Sequence, residues 1–290
     1  MNFRSIVKDT FCFFDKIFFK AGKPLVSVVR LKGTIGVSGL GSRSLNLTSL
    51  EKTLENAFSK RHLSAVAIIV NSPGGSPVQS DAIAMRIRQL SIEKQVPVYA
   101  FVEDVAASGG YWLACSADEI YANSMSIIGS IGVISASFGF SEFIQKLGIE
   151  RRVYAQGDNK SMLDPFKPED SKEVKKLLGL QTEIHKEFKS YVKLRRKNAK
   201  LSGGDKALFS GDVWTGSQAV KNGLIDGIGE LRHIMKEKLG KNTRFIFLQP
   251  DGNWFQRKFS SRFFLQNDLG FGEGILTAIE ERSLWSRFGL

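Results

Sequence analysis

The 290-residue chain has only two cysteines and three histidines, and it lacks a long apolar run. Cys12 and Cys115 are too few for the disulfide framework of a small secreted protein. Neither cysteine has a histidine near it in sequence, so a zinc site is not expected, and no metal or cofactor is predicted. No stretch reaches the roughly 18 apolar residues that a membrane-spanning helix needs, which predicts a chain without such a helix.

The first 24 residues lack the pattern of a secretory signal, because charged residues interrupt the Phe-rich stretch and no small-residue cleavage site follows. Apolar residues over 3–19 recur at helical spacing, with basic residues mostly off the apolar face. This pattern fits a helix lying in an anionic membrane surface, and equally a helix docked on the protein or on a neighbouring subunit. We expect a location on the cytoplasmic side, with peripheral contact to the inner membrane.

Composition is that of an ordinary globular protein, with 42% hydrophobic and 24% charged residues. Lysine and arginine outnumber aspartate and glutamate 41 to 29, which gives a net charge of +12. A basic excess of this size permits acidic partners, anionic lipid or nucleic acid. No nucleic-acid motif or interleaved aromatic platform accompanies it, so a nucleic-acid partner is not predicted.

Apolar and β-branched runs alternate with helical patterns along the middle of the chain. This alternation predicts an α/β fold of parallel β-α units with right-handed crossovers. The predicted strands are 25–31, 64–70, 96–102, 118–122 and 244–248, and the predicted helices are 79–93, one beginning within 105–116, and 170–200. We expect three parts: a basic amphipathic segment 1–24, a core domain 25–240, and a C-terminal strand with a Phe/Arg-rich appendage in 241–290.

A glycine pair follows the second predicted strand. The run 71–76 reads Asn-Ser-Pro-Gly-Gly-Ser, in which Gly74 and Gly75 allow a tight turn with outward-facing backbone N–H groups. Such a turn at a strand end can form an oxyanion hole or an anion-binding nest, or it can be a plain turn.

A serine among small residues follows the next strand, in Ala106-Ala107-Ser108-Gly109-Gly110. The Ser108 hydroxyl would be accessible, and the Gly109 amide could donate to an oxyanion. The alternative is that Ser108 only caps a helix. Because one crossover separates the two strands, both motifs are expected to face one carbonyl group.

A nucleophilic serine needs a base, and none of the three histidines stands in a Gly-rich or strand-end context. A neutral lysine is the other activator. Lowering the pKa of a lysine to about 7–8 requires roughly 4 kcal/mol of desolvation or neighbouring charge. Spacing alone does not select that lysine.

Four motifs in this order resemble the signal peptide peptidase A and SohB group of serine peptidases, peptidase family S49. They are the runs 71–76, 107–111, 129–133 and 211–226, and the similarity covers about 25–235. The resemblance implies a fold similar to Clp protease and crotonase, with helical appendages for oligomerisation. It also implies a Ser-Lys dyad, with Ser108 as nucleophile and Lys160, in Gly157-Asp158-Asn159-Lys160, as base.

The resemblance further implies that Ser130 helps to hold the lysine and that the amides of Gly75, Gly74 and Gly109 form the oxyanion hole. The expected activity is endopeptidase cleavage, through an acyl-enzyme, of membrane-derived or unfolded peptides, signal-peptide remnants among them. Short members of the group complete their sites between the subunits of a ring. We therefore expect a homo-oligomer in which Lys160 serves its own Ser108 or that of a neighbour.

Three other readings remain open at this point. A Clp-like Ser-His-Asp peptidase would need a histidine about 25 residues after Ser108, and 130–136 contains none. A crotonase-like acyl-CoA enzyme shares the expected fold but needs no serine nucleophile. An inactive membrane-associated scaffold is the third reading, and the presence of both Ser108 and Lys160 argues against it.

Overall fold

The computed structural model describes residues 23–36, 44–157, 159–249 and 282–290. The helix predicted over 3–19 and most of the appendage after 249 lie outside the described residues. In chain order the elements are β1 Leu25–Lys32, α1 Leu47–Phe58, β2 Leu63–Ser72, α2 Pro77–Lys94, β3 Val98–Ala107, α3 Gly109–Ala114, β4 Glu119–Ala122, β5 Ile127–Gly129, α4 Ser141–Lys146, α5 Ser171–Arg195, α6 Gly204–Leu208, β6 Val213–Thr215, α7 Gly216–Lys221, β7 Gly227–Ile228, α8 Leu231–Leu239 and β8 Arg244–Leu248.

One eight-stranded sheet organises the molecule, in the order β6-β5-β3-β2-β1-β8, with β4 beside β3 and β7 beside β4. The strand pairs are parallel except β5 with β6. β3 has two neighbours on one side, since Tyr99–Val102 pairs with β4 and Val105–Ala107 pairs with β5. The predicted α/β class with parallel strands is confirmed.

The sheet has an apolar layer on each face. β2 is buried from Ala65 to Ser72, as expected for a central strand covered on both sides. The larger layer packs α1, α2, α3 and part of α5 against one face, while Leu231, Ile234 and Met235 of α8 cover the other. Each large apolar side chain buried in these layers contributes about 1.5–3 kcal/mol relative to its exposed state.

The loop between β2 and α2 ends in a capped helix N-terminus. Ser76 caps α2 and its hydroxyl accepts from the Gln79 N–H at 3.4 Å, while Pro77 occupies the first turn, where no N–H is needed. The parallel strands end at one edge of the sheet, so the loop after β2 and the junction after β3 lie side by side.

The helix predicted to begin within 105–116 does so at Gly109, after a strand that runs further than the predicted 96–102. β3 continues through Val105–Ala107, because these small residues pair with Ile127–Gly129 of β5. Only at Gly109 does α3 begin. The strand predicted at 244–248 joins the main sheet as an edge strand parallel to β1.

Candidate active site

Ser108 occupies the single residue between β3 and α3. Its backbone has φ 52° and ψ −122°, a conformation that L residues rarely adopt. Its N–H donates to the Gly129 carbonyl at 2.8 Å, and its own carbonyl accepts from the N–H groups of Tyr111 and Trp112, each at 3.0 Å. Its side chain makes no capping hydrogen bond. Ser108 thus stands at the N-cap position of α3, but its side chain does not cap the helix, so capping does not account for a serine here.

The loop after β2 approaches Ser108 closely because it carries glycine. Gly74 has φ 108°, and a Cβ placed on it would lie 2.8 Å from Ser108 Cβ and 3.0 Å from the Gly109 nitrogen. Gly75 has φ 143°, and its Cβ would lie 2.1 Å from the Ile35 carbonyl oxygen. A side chain at Gly74 would push the loop away from Ser108, and one at Gly75 would clash with the Ile35 backbone.

The loop is held by hydrogen bonds to Ile35 on both sides of Gly75. Ile35 N–H donates to the Gly74 carbonyl at 2.9 Å, and Ser76 N–H donates to the Ile35 carbonyl at 2.8 Å. The Gly74 N–H donates to Ser72 Oγ at 3.2 Å. Within the described part of the chain, the N–H groups of Gly75 and Gly109 have no acceptor. These two amides beside Ser108 are available to donate to an oxyanion. The N–H of Gly74 is already engaged by Ser72, so Gly74 contributes by letting the loop approach Ser108 closely.

A cleft of about 600 Å³ opens in front of these residues. Ser108, Gly75 and Ser130 line it, together with Gly132–Ile134, Pro73, Pro77, His185, Ser210, Gly211, Leu284 and Arg287. Its walls are therefore mostly small or apolar side chains, and two serines, Ser108 and Ser130, lie in it directly after strands. No lysine in the described part of the chain belongs to this lining.

Ser130 follows β5 in a strained turn with φ 51°. Its N–H donates to the Asp212 carbonyl at 2.7 Å, and its carbonyl accepts from Gly132 N–H at 3.0 Å. The side chain is 9% exposed. The structure thus brings Ser130, Ser108 and Gly75 to one cleft.

Lys160 lies elsewhere on this chain. Its side chain is exposed, and its N–H donates to the Gly157 carbonyl at 3.1 Å in a turn that precedes α5. The turn is anchored at Leu163, whose N–H donates to Glu173 Oε2 at 2.7 Å. A single copy of the chain therefore does not place Lys160 in the cleft that holds Ser108.

Large apolar side chains are exposed on the segment that leads to Lys160. The set comprises Ile134, Phe138, Phe140, Phe143, Leu147, Ile149 and Tyr154. We call residues 133–163, without residue 158, the arm. An exposed apolar surface of this extent is typical of a protein–protein contact.

His185 also lines the cleft, although the sequence pattern did not predict a place for it there. It projects from α5, and its Nε2 lies 3.2 Å from the Ile131 carbonyl oxygen. The signal was present in the helical spacing, since 185, 188 and 192 share a face and Phe188 and Val192 are buried. His62 and His233 are exposed and do not line the cleft.

Cys115 is the one free thiol in the described part of the chain, and it lies in the core. Burial raises the pKa of the Cys115 thiol to about 12. A thiol that stays protonated at neutral pH is a poor nucleophile, so Cys115 does not compete with Ser108 for this role. The described residues contain no group of three or more His, Cys, Asp or Glu side chains suited to a metal ion. None of their helices has the length and apolar character needed to cross a membrane.

The peptidase family S49 model matches residues 91–242. The "Putative signal peptide peptidase SppA" of Enterococcus faecium is 30% identical over 251 residues, which are 84% of this chain and 69% of that protein. "Protease 4" of Haemophilus influenzae is 34% identical over 217 residues, which are 73% of this chain and 34% of that protein.

A protein of Brucella abortus named "Na(+)/H(+) antiporter NhaA" is 46% identical over 283 residues, or 94% of this chain. The match covers 38% of that protein's length. Among solved structures, a mutant form of the 1510-N membrane-bound stomatin-specific protease has a TM-score of 0.51 at 16% identity, with 79% of this chain and all of that chain covered. This likeness confirms the predicted Clp protease and crotonase-like fold.

Proposed function

The chain belongs to peptidase family S49, as the four motifs predicted, and on that premise we propose that Ser108 is the nucleophile of a Ser-Lys serine endopeptidase. The observation that carries the proposal is the junction after β3. There Ser108 has a strained backbone, and its side chain makes no capping hydrogen bond to the helix that follows. It lies against the glycine loop and beside two amides that have no acceptor in the described residues.

The proposed reaction starts with a neutral Lys160, which takes the Ser108 hydroxyl proton as Oγ attacks the peptide carbonyl carbon. The carbonyl π electrons move to oxygen, and the amides of Gly75 and Gly109 donate to the resulting oxyanion. When the C–N bond breaks, Lys160 returns the proton to the leaving amine. Water then attacks the acyl-enzyme by the same route and releases the acid and Ser108.

We assign Ser130 to holding the lysine. Its position in the same cleft as Ser108 supports this role, and so does its placement on the turn that receives the Ser108 N–H through Gly129. A serine hydroxyl can accept from an ammonium group and can donate to a neutral amine, so it can serve either protonation state of the base.

Lys160 is proposed to come from a neighbouring copy. Two observations support this: no lysine of the described residues lines the cleft, and the arm that carries Lys160 exposes a row of large apolar side chains. A ring in which the arm of each copy packs on the next would bury that surface and complete each cleft. Desolvation in such an interface is also what would keep the lysine neutral.

The proposed substrates are unfolded or membrane-derived peptides, including remnants of signal peptides. The small and apolar residues around Ser108 support this class. The name of the Enterococcus faecium relative supports signal peptides, and the name of the Brucella abortus relative supports work close to a membrane. We propose a location on the cytoplasmic face of the inner membrane, with the basic segment 1–24 and the Phe/Arg-rich 250–290 as contacts to anionic lipid.

The test is hydrolysis of an unfolded protein and of a fluorogenic peptide panel by wild type, Ser108→Ala and Lys160→Ala. A fluorophosphonate probe, read by mass spectrometry, reports which serine is acylated. We expect cleavage by wild type only, with the probe on Ser108. Wild-type cleavage that survives in Ser108→Ala would overturn the assignment of the nucleophile, and full activity in Lys160→Ala would overturn that of the base.

A further inference from the structure

We propose that His185 is a positioning residue for this active site, and that its imidazole fixes the cleft wall formed by Gly132–Ile134 through a hydrogen bond to the Ile131 carbonyl. The inference rests on the proposed function, because the wall it concerns belongs to the cleft of Ser108. His185 lies on α5, far from β5 in sequence, and is the contact that ties the helix to this wall.

The bond defines which ring nitrogen carries hydrogen. A carbonyl oxygen only accepts, so the 3.2 Å contact requires an N–H at Nε2 of His185. The nitrogen at the far end of the side chain is therefore engaged by the main chain. A side chain whose end group binds a main-chain carbonyl in this way restrains the loop that carries the carbonyl, here the turn at Ile131.

Main-chain hydrogen bonds fix the start of the turn that receives this bond. The Ser108 N–H holds Gly129, and the Asp212 carbonyl holds Ser130, both before Ile131 in sequence. Gly129 and Ser130 have φ of 117° and 51°, so the turn depends on such ties to keep its shape. After Ile131 the chain emerges toward solvent, and Ile134 is 65% exposed. Within the turn the Gly132 N–H donates to the Ser130 carbonyl and the Ile131 side chain is buried, and the bond from His185 adds a tie from α5 to the main chain where the wall begins.

The helix that carries His185 is itself rigidly seated. One turn further on, Phe188 is buried, and its ring stacks on Trp112 with the centroids 4.7 Å apart. Trp112 N–H in turn donates to the Ser108 carbonyl. His185 and Ser108 are therefore both attached to the same packed unit, and the imidazole links that unit to the wall formed by Gly132–Ile134.

The test compares two amide side chains at this position. In His185→Gln the amide nitrogen can reach the place of Nε2, whereas in His185→Asn the shorter side chain stops near the place of Nδ1. Both are polar and suit a half-buried helical site, so loss of folding does not separate them. His185→Leu removes every donor, and Lys186→Ala, an exposed neighbour on α5, serves as the control.

For an extended peptide, we expect KM to rise about tenfold in His185→Asn and His185→Leu, with kcat within about threefold of wild type. His185→Gln should stay within about threefold of wild type in both constants, and Lys186→Ala should be unchanged. Inactivation by a small fluorophosphonate, which needs Ser108 but little of the wall, should change less than about twofold in all four variants.

Unchanged KM in both His185→Asn and His185→Leu would overturn the inference, as would a His185→Gln as impaired as His185→Asn. A parallel loss of kcat and of fluorophosphonate reactivity would also overturn it, because His185 would then act in proton transfer. A wild-type protein that neither cleaves peptides nor reacts with the probe would instead contradict the proposed function.

Discussion

The backbone of Ser108 is strained, and the role proposed for its side chain accounts for that strain. At φ 52° and ψ −122° glycine would be the natural choice, because it has no Cβ to clash with the adjacent carbonyl. Serine persists there, its side chain caps nothing, and it lines the cleft. The local conformation and the exposure of Oγ are two consequences of one sharp strand-to-helix turn.

Replacing Ser108 by glycine should therefore stabilise the protein while abolishing cleavage. We expect the free energy of unfolding of Ser108→Gly to exceed that of Ser108→Ala by about 1 kcal/mol, because alanine keeps the strain and glycine relieves it. Chemical denaturation at a fixed protein concentration measures the difference. A glycine variant less stable than the alanine variant would contradict the strained geometry.

A substitution at Gly74 tests how closely the loop after β2 approaches Ser108. A methyl group at Gly74 would lie 2.8 Å from Ser108 Cβ at a φ of 108°, so Gly74→Ala should lower kcat/KM about a hundredfold and destabilise the fold by about 1–3 kcal/mol. Gly179→Ala in α5 is the matched control, since a Cβ there meets nothing within 4 Å. The control should keep full activity and gain about 0.5–1 kcal/mol of stability. Equal behaviour of the two variants would show that the loop does not press on Ser108.

The main elements could be predicted from sequence because their signals are local. The apolar run of β2 and the helical spacing of α5 both appear where expected. The end of β3 was missed because Val105–Ala107 resemble a helix start and become a strand only by pairing with β5, a distant partner. His185 was missed for the same reason: its role depends on a contact with a carbonyl 54 residues away in sequence.

The C-terminal end of α5 is tied to β4 by an ion pair whose arginine is buried. Arg196 is 5% exposed and donates to both carboxylate oxygens of Asp226 at 2.7 and 3.0 Å, while Asp226 also accepts from Ile120 N–H. The Asp226 side chain is 29% exposed, so replacing Arg196 removes the hydrogen bonds of a buried arginine and leaves a carboxylate that water can reach. This contact therefore holds α5, and with it His185, against the sheet.

We expect Arg196→Met to lower the free energy of unfolding by about 2 kcal/mol, because charge-assisted hydrogen bonds are lost; urea denaturation measures the change. Arg152→Met is the control. It removes an arginine from an exposed pair with Glu150 and should leave the free energy of unfolding unchanged. If the free energy of unfolding of Arg196→Met equalled that of wild type, the ion pair would not be what holds α5 against the sheet.

At the scale of the whole molecule, one chain holds every proposed element of the site but divides them between two places. The nucleophile and the two amides without an acceptor lie at the cleft, and Lys160 lies on an exposed arm. Sequence could supply both residues through family motifs, but it could not say whether one copy brings them together. That question depends on how copies pack.

The arm should be the surface through which copies associate. Phe143 on α4 is 61% exposed, and Phe143→Glu should give a folded but smaller assembly with at least about tenfold less activity, because a charge in an apolar interface is costly. Light scattering after size-exclusion chromatography measures the assembly. Ile92→Glu on α2, where the side chain is 69% exposed, is the control and should leave mass and activity unchanged. An unaltered assembly in Phe143→Glu would place the interface elsewhere.

The central claim is that Ser108 of one copy works with Lys160 of the next, and mixing two inactive variants tests it most directly. Ser108→Ala and Lys160→Ala are combined in equal amounts, dissociated, reassembled and assayed. In a ring with sites shared between neighbours, about a quarter of the junctions pair an intact serine with an intact lysine, so about a quarter of wild-type activity should return. A mixture as inactive as its components, with reassembly verified by mass, would contradict the claim.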